Sequence, residues 1–333
     1  MCAACADCNW LKRIQATDLS GRTALVTGGR IKIGYQTAIK LLRAGAHVIV
    51  TTRFPRDAAS RFVREEDFAS FRHRLEIHGL DLRHTPSVES FARQLASEQG
   101  RLDFILNNAC QTVRRPPNFY AHMIEREAAS PSALPEEERL LLRGVAGVNQ
   151  TTSPSSKLLP SQTLRREGVD RAAALSQIPL TDDDRDTDPA LFPLGDLDAD
   201  LQQTDLRKKN SWRLALHEVT SVELLEVHLV NAVAPFILNA RLKRLMLRNP
   251  GNDRHIVNVS AMEGQFYRTF KTDKHPHTNM AKASLNMLTR TSAADYVRDG
   301  IHMNSVDTGW ITDEDPIEIT LRKEREHGFH PPL

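Results

Sequence analysis

The stretch from Gly21 to Arg53, GRTALVTGGRIKIGYQTAIKLLRAGAHVIVTTR, constrains this chain more than any other. It opens on a short apolar run, Thr23 to Thr27, that reads as a buried strand. A loop holding Gly28, Gly29 and Gly34 follows. A helical pattern then runs from Ile33 to Arg43, with Ile39, Leu41 and Leu42 apolar and Gly45 as its stop. A second buried strand, His47 to Thr51, closes the unit. Glycines let the backbone turn sharply and come close to a pyrophosphate. The helix behind them offers unpaired N–H groups and the positive end of its dipole. A strand, glycine loop, helix and strand in this order form the first half of a dinucleotide-binding fold.

The chain has 333 residues, somewhat more than one doubly wound domain needs. Its net charge of +2 provides no basic excess for nucleic acid or an anionic membrane. No apolar run stands out as long enough to cross a bilayer. The N-terminus, MCAACADCNW, lacks the basic start and apolar core of an export signal. The expectation is a cytoplasmic protein without nucleic-acid or membrane partners, in which the sequon at Asn149 is uninformative. Cys2, Cys5 and Cys8 have the spacing of half a zinc site, with no second pair nearby. They read either as surface thiols or as half of a zinc ribbon; no metal site is expected.

The loop places Thr27, Gly28 and Gly34 in the pattern T-G-x-x-x-G-x-G, with Lys32 at the middle glycine. This resembles the short-chain dehydrogenase/reductase family. The resemblance implies a cofactor loop of Gly28, Gly29, Arg30, Lys32, Ile33 and Gly34. The Lys32 side chain either contacts phosphate or points to solvent. The second strand ends in Thr52-Arg53, with no acid for a ribose 2′-hydroxyl. Arg30 and Arg53 suit a 2′-phosphate, so NADP(H) is expected over NAD(H). Residues 57 to 71 read as a charged surface helix, and 75 to 80 as the third strand. By resemblance, Asp81 and Leu82 then border the adenine. A helix over 86 to 99 leads to a fourth strand at 102 to 106. It ends in Asn107-Asn108-Ala109-Cys110, similar to the family's N-N-A-G, where Asn108 and Ala109 flank the adenosine half.

Roughly a hundred residues, 111 to 210, then replace what is a short connection in the family. Residues 116 to 143 are amphipathic in places, 150 to 163 are rich in Ser, Thr and Pro, and 181 to 188 are acidic. The stretch reads as an insertion, partly helical and partly disordered. It serves either as a substrate lid or partner surface, or as a surface insertion without chemistry.

The core resumes over 211 to 315. Ser221 to Met246 reads as one long helix, with Asn231 and Pro235 resembling the family's asparagine-bearing helix. A fifth strand, 254 to 259, delivers Ser260, and the resemblance assigns its hydroxyl to the substrate carbonyl. The family's Tyr-x-x-x-Lys appears as Thr278 to Lys282: the lysine is in place and the phenol is not. A threonine hydroxyl is too weak an acid to copy a lysine-tuned phenol. Three explanations stay open. Tyr267, His275 or His277 supplies the proton; the enzyme is non-redox; or it is a cofactor-binding pseudoenzyme. A sixth strand, 300 to 306, precedes Gly309 and Thr312, which by resemblance approach the nicotinamide carboxamide.

The expected fold is α/β, a Rossmann-like doubly wound parallel sheet of order 3-2-1-4-5-6, with a long insertion after the fourth strand. Residues 1–20 form a lead-in, 21–110 and 211–315 the catalytic domain, 111–210 the insertion and 316–333 a tail without further elements. The resemblance implies an NADP(H)-dependent oxidoreductase acting on a small carbonyl or alcohol, possible as a homo-oligomer.

Overall fold

The computed structural model describes residues 2–143, 172–185, 188–198, 200–269, 271–309, 311 and 313–329. The Ser/Thr/Pro-rich stretch at 150–163 and the sequon at Asn149 lie outside them. The first half of the chain contains α1 (Ala3–Arg13), β1 (Thr23–Thr27), α2 (Lys32–Arg43), β2 (His47–Thr52) and α3 (Pro55–Val63). It continues with α4 (Phe68–Phe71), β3 (Leu75–Gly79), α5 (Thr85–Glu98) and β4 (Phe104–Asn107). The insertion supplies α6 (Ala121–Ala128), α7 (Glu136–Leu141), β5 (Leu142–Arg143) and α8 (Ala172–Leu175). The second half has α9 (Ser221–His228), α10 (Ala234–Met246), β6 (Arg254–Ser260), α11 (Pro276–Tyr296), β7 (Ile301–Asp307) and α12 (Ile317–His327).

Among the described residues the strands form one parallel sheet, in the order β5-β3-β2-β1-β4-β6-β7. Side chains alternate between its faces. Leu25, Ile49 and Ile105 meet Phe91, Leu95, Leu238 and Leu242 on one face. Val26, Val48, Val50 and Ile77 meet Ala38, Leu42 and Phe62 on the other. Cover on both faces explains why these strands read as continuous apolar runs. The order reverses between β1 and β4, so a crevice opens at their C-terminal ends.

Several expectations need correction. The expected six-strand order is extended at one edge by β5, which pairs Leu142 with Ile77 and buries Leu142 in the core. The insertion thereby covers the free edge of β3. Residues 57 to 71 are not one charged surface helix, because α3 buries Ala58, Ala59 and Phe62. The segment after 315 is not featureless: it forms α12. The single long helix is two α-helices joined by a π turn, Leu229–Val233, with Asn231 inside it. Nor is it true that no run reaches membrane-spanning length. Ser221–Met246, 26 residues of hydropathy 1.5, passes by length and composition. Half of its apolar window is buried inside the protein, as in a core helix. Cys2 precedes α1 and Cys5 and Cys8 lie on it, all three exposed free thiols.

The glycine loop fits tightly against β4. Gly28 has φ +67, and a Cβ there would lie 2.8 Å from Ala109 Cα. A Cβ on Gly34 would lie 2.3 Å from the Gly28 carbonyl oxygen. Lys32, where the family pattern has glycine, keeps the left-handed backbone at φ 51. That conformation costs an L side chain roughly 1–2 kcal/mol, partly offset by the greater unfolded freedom of glycine. Lys32→Gly should therefore raise stability by about 0.5–1 kcal/mol in denaturant unfolding. A loss of stability would show that the lysine side chain makes a compensating contact.

Candidate active site

Two adjoining cavities lie at the C-terminal edge of the sheet. The first, about 550 Å³, is lined by Gly28, Arg30, Lys32, Ile33, Gly34, Arg53, Asp81, Leu82, Asn108 and Ala109. Gly29 is not on its wall; a Cβ there would lie 2.7 Å from Val50 Cγ1, so this glycine serves packing. The second, about 660 Å³, is lined by Ser260, Lys282, Gly309 and His275. Ile33, Asn108, Cys110 and Thr112 border both. Thr312 lies outside the described residues.

Thr27 ties β1 to β4. Its Oγ1 accepts from the backbone N–H of Asn108 at 3.0 Å and of Ala109 at 3.1 Å. Asn108 Nδ2 donates to the Thr27 carbonyl at 3.1 Å. Below, Asn107 Nδ2 donates to Asn239 Oδ1 and Asn258 Oδ1, both at 2.8 Å, inside the core. Asn231 grips the chain just past Cys110. Its Oδ1 accepts from Gln111 N at 2.8 Å and its Nδ2 donates to Gln111 O at 3.2 Å. The asparagine is buried behind the site and lines neither cavity.

The two arginines differ. Arg30 is buried and donates to Asp57 Oδ2 and Gln202 Oε1, both at 2.8 Å. It shares Asp57 with Arg61, whose Nε donates to the same oxygen at 2.7 Å. Arg53 donates to the phenol oxygen of Tyr120 at 2.7 Å and lies over that ring at 4.8 Å. Burial alone would raise the Tyr120 pKa. Arg53, with Arg115 and Arg30, outweighs it and holds the phenol below its ordinary value. That end of the cavity is therefore electropositive. Asp81 receives Arg83 on both oxygens, with Nη2 to Oδ2 at 2.7 Å. Burial raises its pKa, and Arg83 overcomes this to leave it lowered.

In the second cavity Ser260 Oγ donates to Asn286 Oδ1 at 2.6 Å, and Lys282 Nζ donates to the Val259 carbonyl at 2.8 Å. Thr278 does not join them. It is 3% exposed, off the cavity wall, and its hydroxyl has no hydrogen-bond partner among the described residues. Tyr267 is a correction: it is 98% exposed and does not fold back over the site. Arg268 and Lys271 bind Glu263, which draws the loop's cations to the cavity wall and leaves Tyr267 outside. His277 is buried beside Glu223, with Nε2 3.4 Å from Oε1, and lines neither cavity. His275 does line the second cavity.

Sequence reading missed Tyr120, Gln202 and Trp212, whose partners are remote in the chain. Asn286 left a readable signal, since it falls one helical turn after Lys282 on the same face.

Fold and site together define an α/β dinucleotide-binding protein with a serine–lysine cavity beside its glycine loop. Residues 22–126 match the family described as short chain dehydrogenase, and 207–327 that described as enoyl-(acyl carrier protein) reductase. An uncharacterized protein of Acanthamoeba polyphaga mimivirus is 29% identical over 100% of this chain and 64% of its own length. Retinol dehydrogenase 13 of Homo sapiens is 34% identical over 103 residues, 30% of each chain. The chain thus spans less than two thirds of these curated relatives. The Pseudomonas aeruginosa RhlG/NADP complex aligns with TM-score 0.54 at 17% identity, over 93% of this chain and 79% of that one. A putative gluconate 5-dehydrogenase of Beutenbergia cavernae with bound NADP aligns with TM-score 0.53 at 18% identity, over 92% and 80%. The chain belongs to the short-chain dehydrogenase/reductase family.

A buried hydroxyl without a partner is a net cost of about 1–3 kcal/mol. Thr278→Val should therefore keep or raise the melting temperature and leave any turnover intact. A large loss of turnover in a folded variant would place the Thr278 hydroxyl in the chemistry.

Proposed function

We propose that this protein is an NADP(H)-dependent oxidoreductase that interconverts a carbonyl and an alcohol on a small molecule. The observation that carries this reading is the shared wall of the two cavities. Ile33 and Asn108 border the glycine-loop cavity and the Ser260–Lys282 cavity alike. A dinucleotide laid over the loop would bring its reactive ring to the serine.

The residues fit such a group. Gly28 and Gly34 leave the loop in a shape that any Cβ would obstruct. When bound, the nicotinamide supplies or takes the hydride. Ser260, at the end of β6, would turn its O–H from Asn286 Oδ1 to the substrate oxygen. Lys282 places an ammonium group on the same wall, where charge develops on that oxygen. The 2′-phosphate falls to Arg53, whose present partner is a phenol rather than a carboxylate. Arg30 contributes less, because it is buried and already donates to Asp57 and Gln202. Two structural neighbours were solved with NADP, in agreement with this choice.

Fluorescence titration tests it. NADPH should bind more tightly than NADH. Arg53→Ala should weaken NADPH by about tenfold, the loss expected for one charge-assisted hydrogen bond, and leave NADH nearly unchanged. Equal affinities for both cofactors in the wild type contradict the preference. NADPH binding with no turnover across carbonyl and alcohol panels favours the pseudoenzyme, for which the missing phenol at position 278 speaks.

A further inference from the structure

We propose that His275 exchanges the proton with the substrate oxygen, in the position where a phenol is absent. This rests on the oxidoreductase reading above. The chain has four tyrosines, and none lines the cavity of Ser260 and Lys282. Tyr35 bonds Glu65 at 2.5 Å on the outer side of α2. Tyr120 is held by Arg53 in the other cavity, and Tyr296 donates to the Asn239 carbonyl at 3.1 Å. Tyr267 points to solvent. His277 and Thr278 lie off the wall. Among the described residues, five carboxylates also line this cavity: Arg268 binds Glu263 and Lys323 binds Asp313 and Asp315, while Asp307 accepts from the Gly309 backbone N–H and Glu314 completes the set.

His275 is built into its place. It precedes α11 in a left-handed conformation, φ 42 and ψ 48. Its backbone N–H donates to the Leu214 carbonyl at 2.8 Å. Its ring stacks on Trp212 with centroids 3.7 Å apart and planes 5° from parallel. Nδ1 lies 2.9 Å from the Trp212 carbonyl oxygen. A carbonyl only accepts, so Nδ1 carries the hydrogen and the neutral ring presents a lone pair at Nε2. A stacked imidazole, held at Nδ1 and lining the cavity of Ser260 and Lys282, has the form of a general base.

The proton and electron counts close. In oxidation, Nε2 takes the alcohol O–H proton, and the O–H electron pair forms the C=O bond. The C–H hydride passes with its pair to the oxidised nicotinamide. In reduction, the carbonyl carbon gains a hydride from the dihydronicotinamide and the oxygen takes the Nε2 proton, leaving His275 neutral. Burial lowers the His275 pKa below the usual histidine range. His277 acts in the same direction, and Glu263, Asp315 and the Trp212 carbonyl oppose it. Lys282 and Arg213 also face this cavity. The neutral base form therefore prevails at pH 7, which favours alcohol oxidation. Reduction gains as pH falls.

The test compares wild type, His275→Asn and Tyr267→Phe. Asparagine tolerates the left-handed backbone, so His275→Asn preserves the turn. Each is titrated with NADPH and assayed with NADP⁺ on a panel of secondary alcohols and with NADPH on the matching ketones. NADPH affinity should stay within about threefold in both variants, as a check on folding. His275→Asn should lose about 10²–10⁴-fold in kcat, the usual contribution of a general acid–base group. Tyr267→Phe should match wild type. The wild-type kcat for oxidation should rise through a pKa below about 6.5, and this limb should vanish in His275→Asn. Full turnover in a folded His275→Asn overturns the proposal and leaves the oxidoreductase reading intact. A wild type that turns over no member of either panel overturns both.

Discussion

The structure depends on one close contact, that between the loop after β1 and the end of β4. Gly28 turns in the left-handed region with Ala109 where its side chain would be. Gly34 brings the first turn of α2 against the Gly28 carbonyl and Asn108. Thr27 fastens the two strands by accepting two backbone N–H groups. This is the point where the strand order reverses, so the crevice it opens is the one place where backbone, helix end and both sheet halves converge. The chemistry at Ser260 is reached from here along shared walls.

The described parts of the insertion are packed into this arrangement. Its strand β5 covers the sheet edge beside β3. Phe119, Tyr120, Met123 and Phe192 form an apolar cluster with Phe54, just past β2. Arg114 joins Asp184 to Glu226 of α9, and Gln202 meets Arg30 of the glycine loop. These contacts bury apolar area and pair buried charges, which fixes the inserted segment over the end of the first cavity. Tyr120 beside Arg53 makes the inserted segment part of the wall of the first cavity.

Much of this was legible in the chain. Strands β1, β2 and β4 could be read because burial on both faces makes them short, largely apolar runs, and β3 because Leu75 and Ile77 alternate with polar residues. The cavity positions of the loop, Asn108 and Ser260 could be read because these residues follow strand ends in chain order, and Lys282 because it lies on the helix α11 after them. Other features were hidden for physical reasons. Leu142 pairs with Ile77 across a long connection, and no local pattern marks that partner. Trp212 and His275 are 63 residues apart, so their stack leaves no periodic trace. Tyr267 looked suitable because it lies between Ser260 and Lys282 in sequence, but the loop leaves it 98% exposed. Arg30 looked free because its partner Asp57 lies 27 residues away, past α2 and β2. Lys32 hid a glycine-like backbone behind a charged side chain.

The glycine loop and Phe119 and Tyr120 of the insertion line one cavity, the proposed cofactor pocket. Hydrogen–deuterium exchange with and without NADPH tests it most directly. The account predicts slower exchange at residues 28–34 and, in the insertion, at Pro117–Tyr120, with α1 unchanged. Protection confined to the loop, with the inserted segment unaffected, would contradict it.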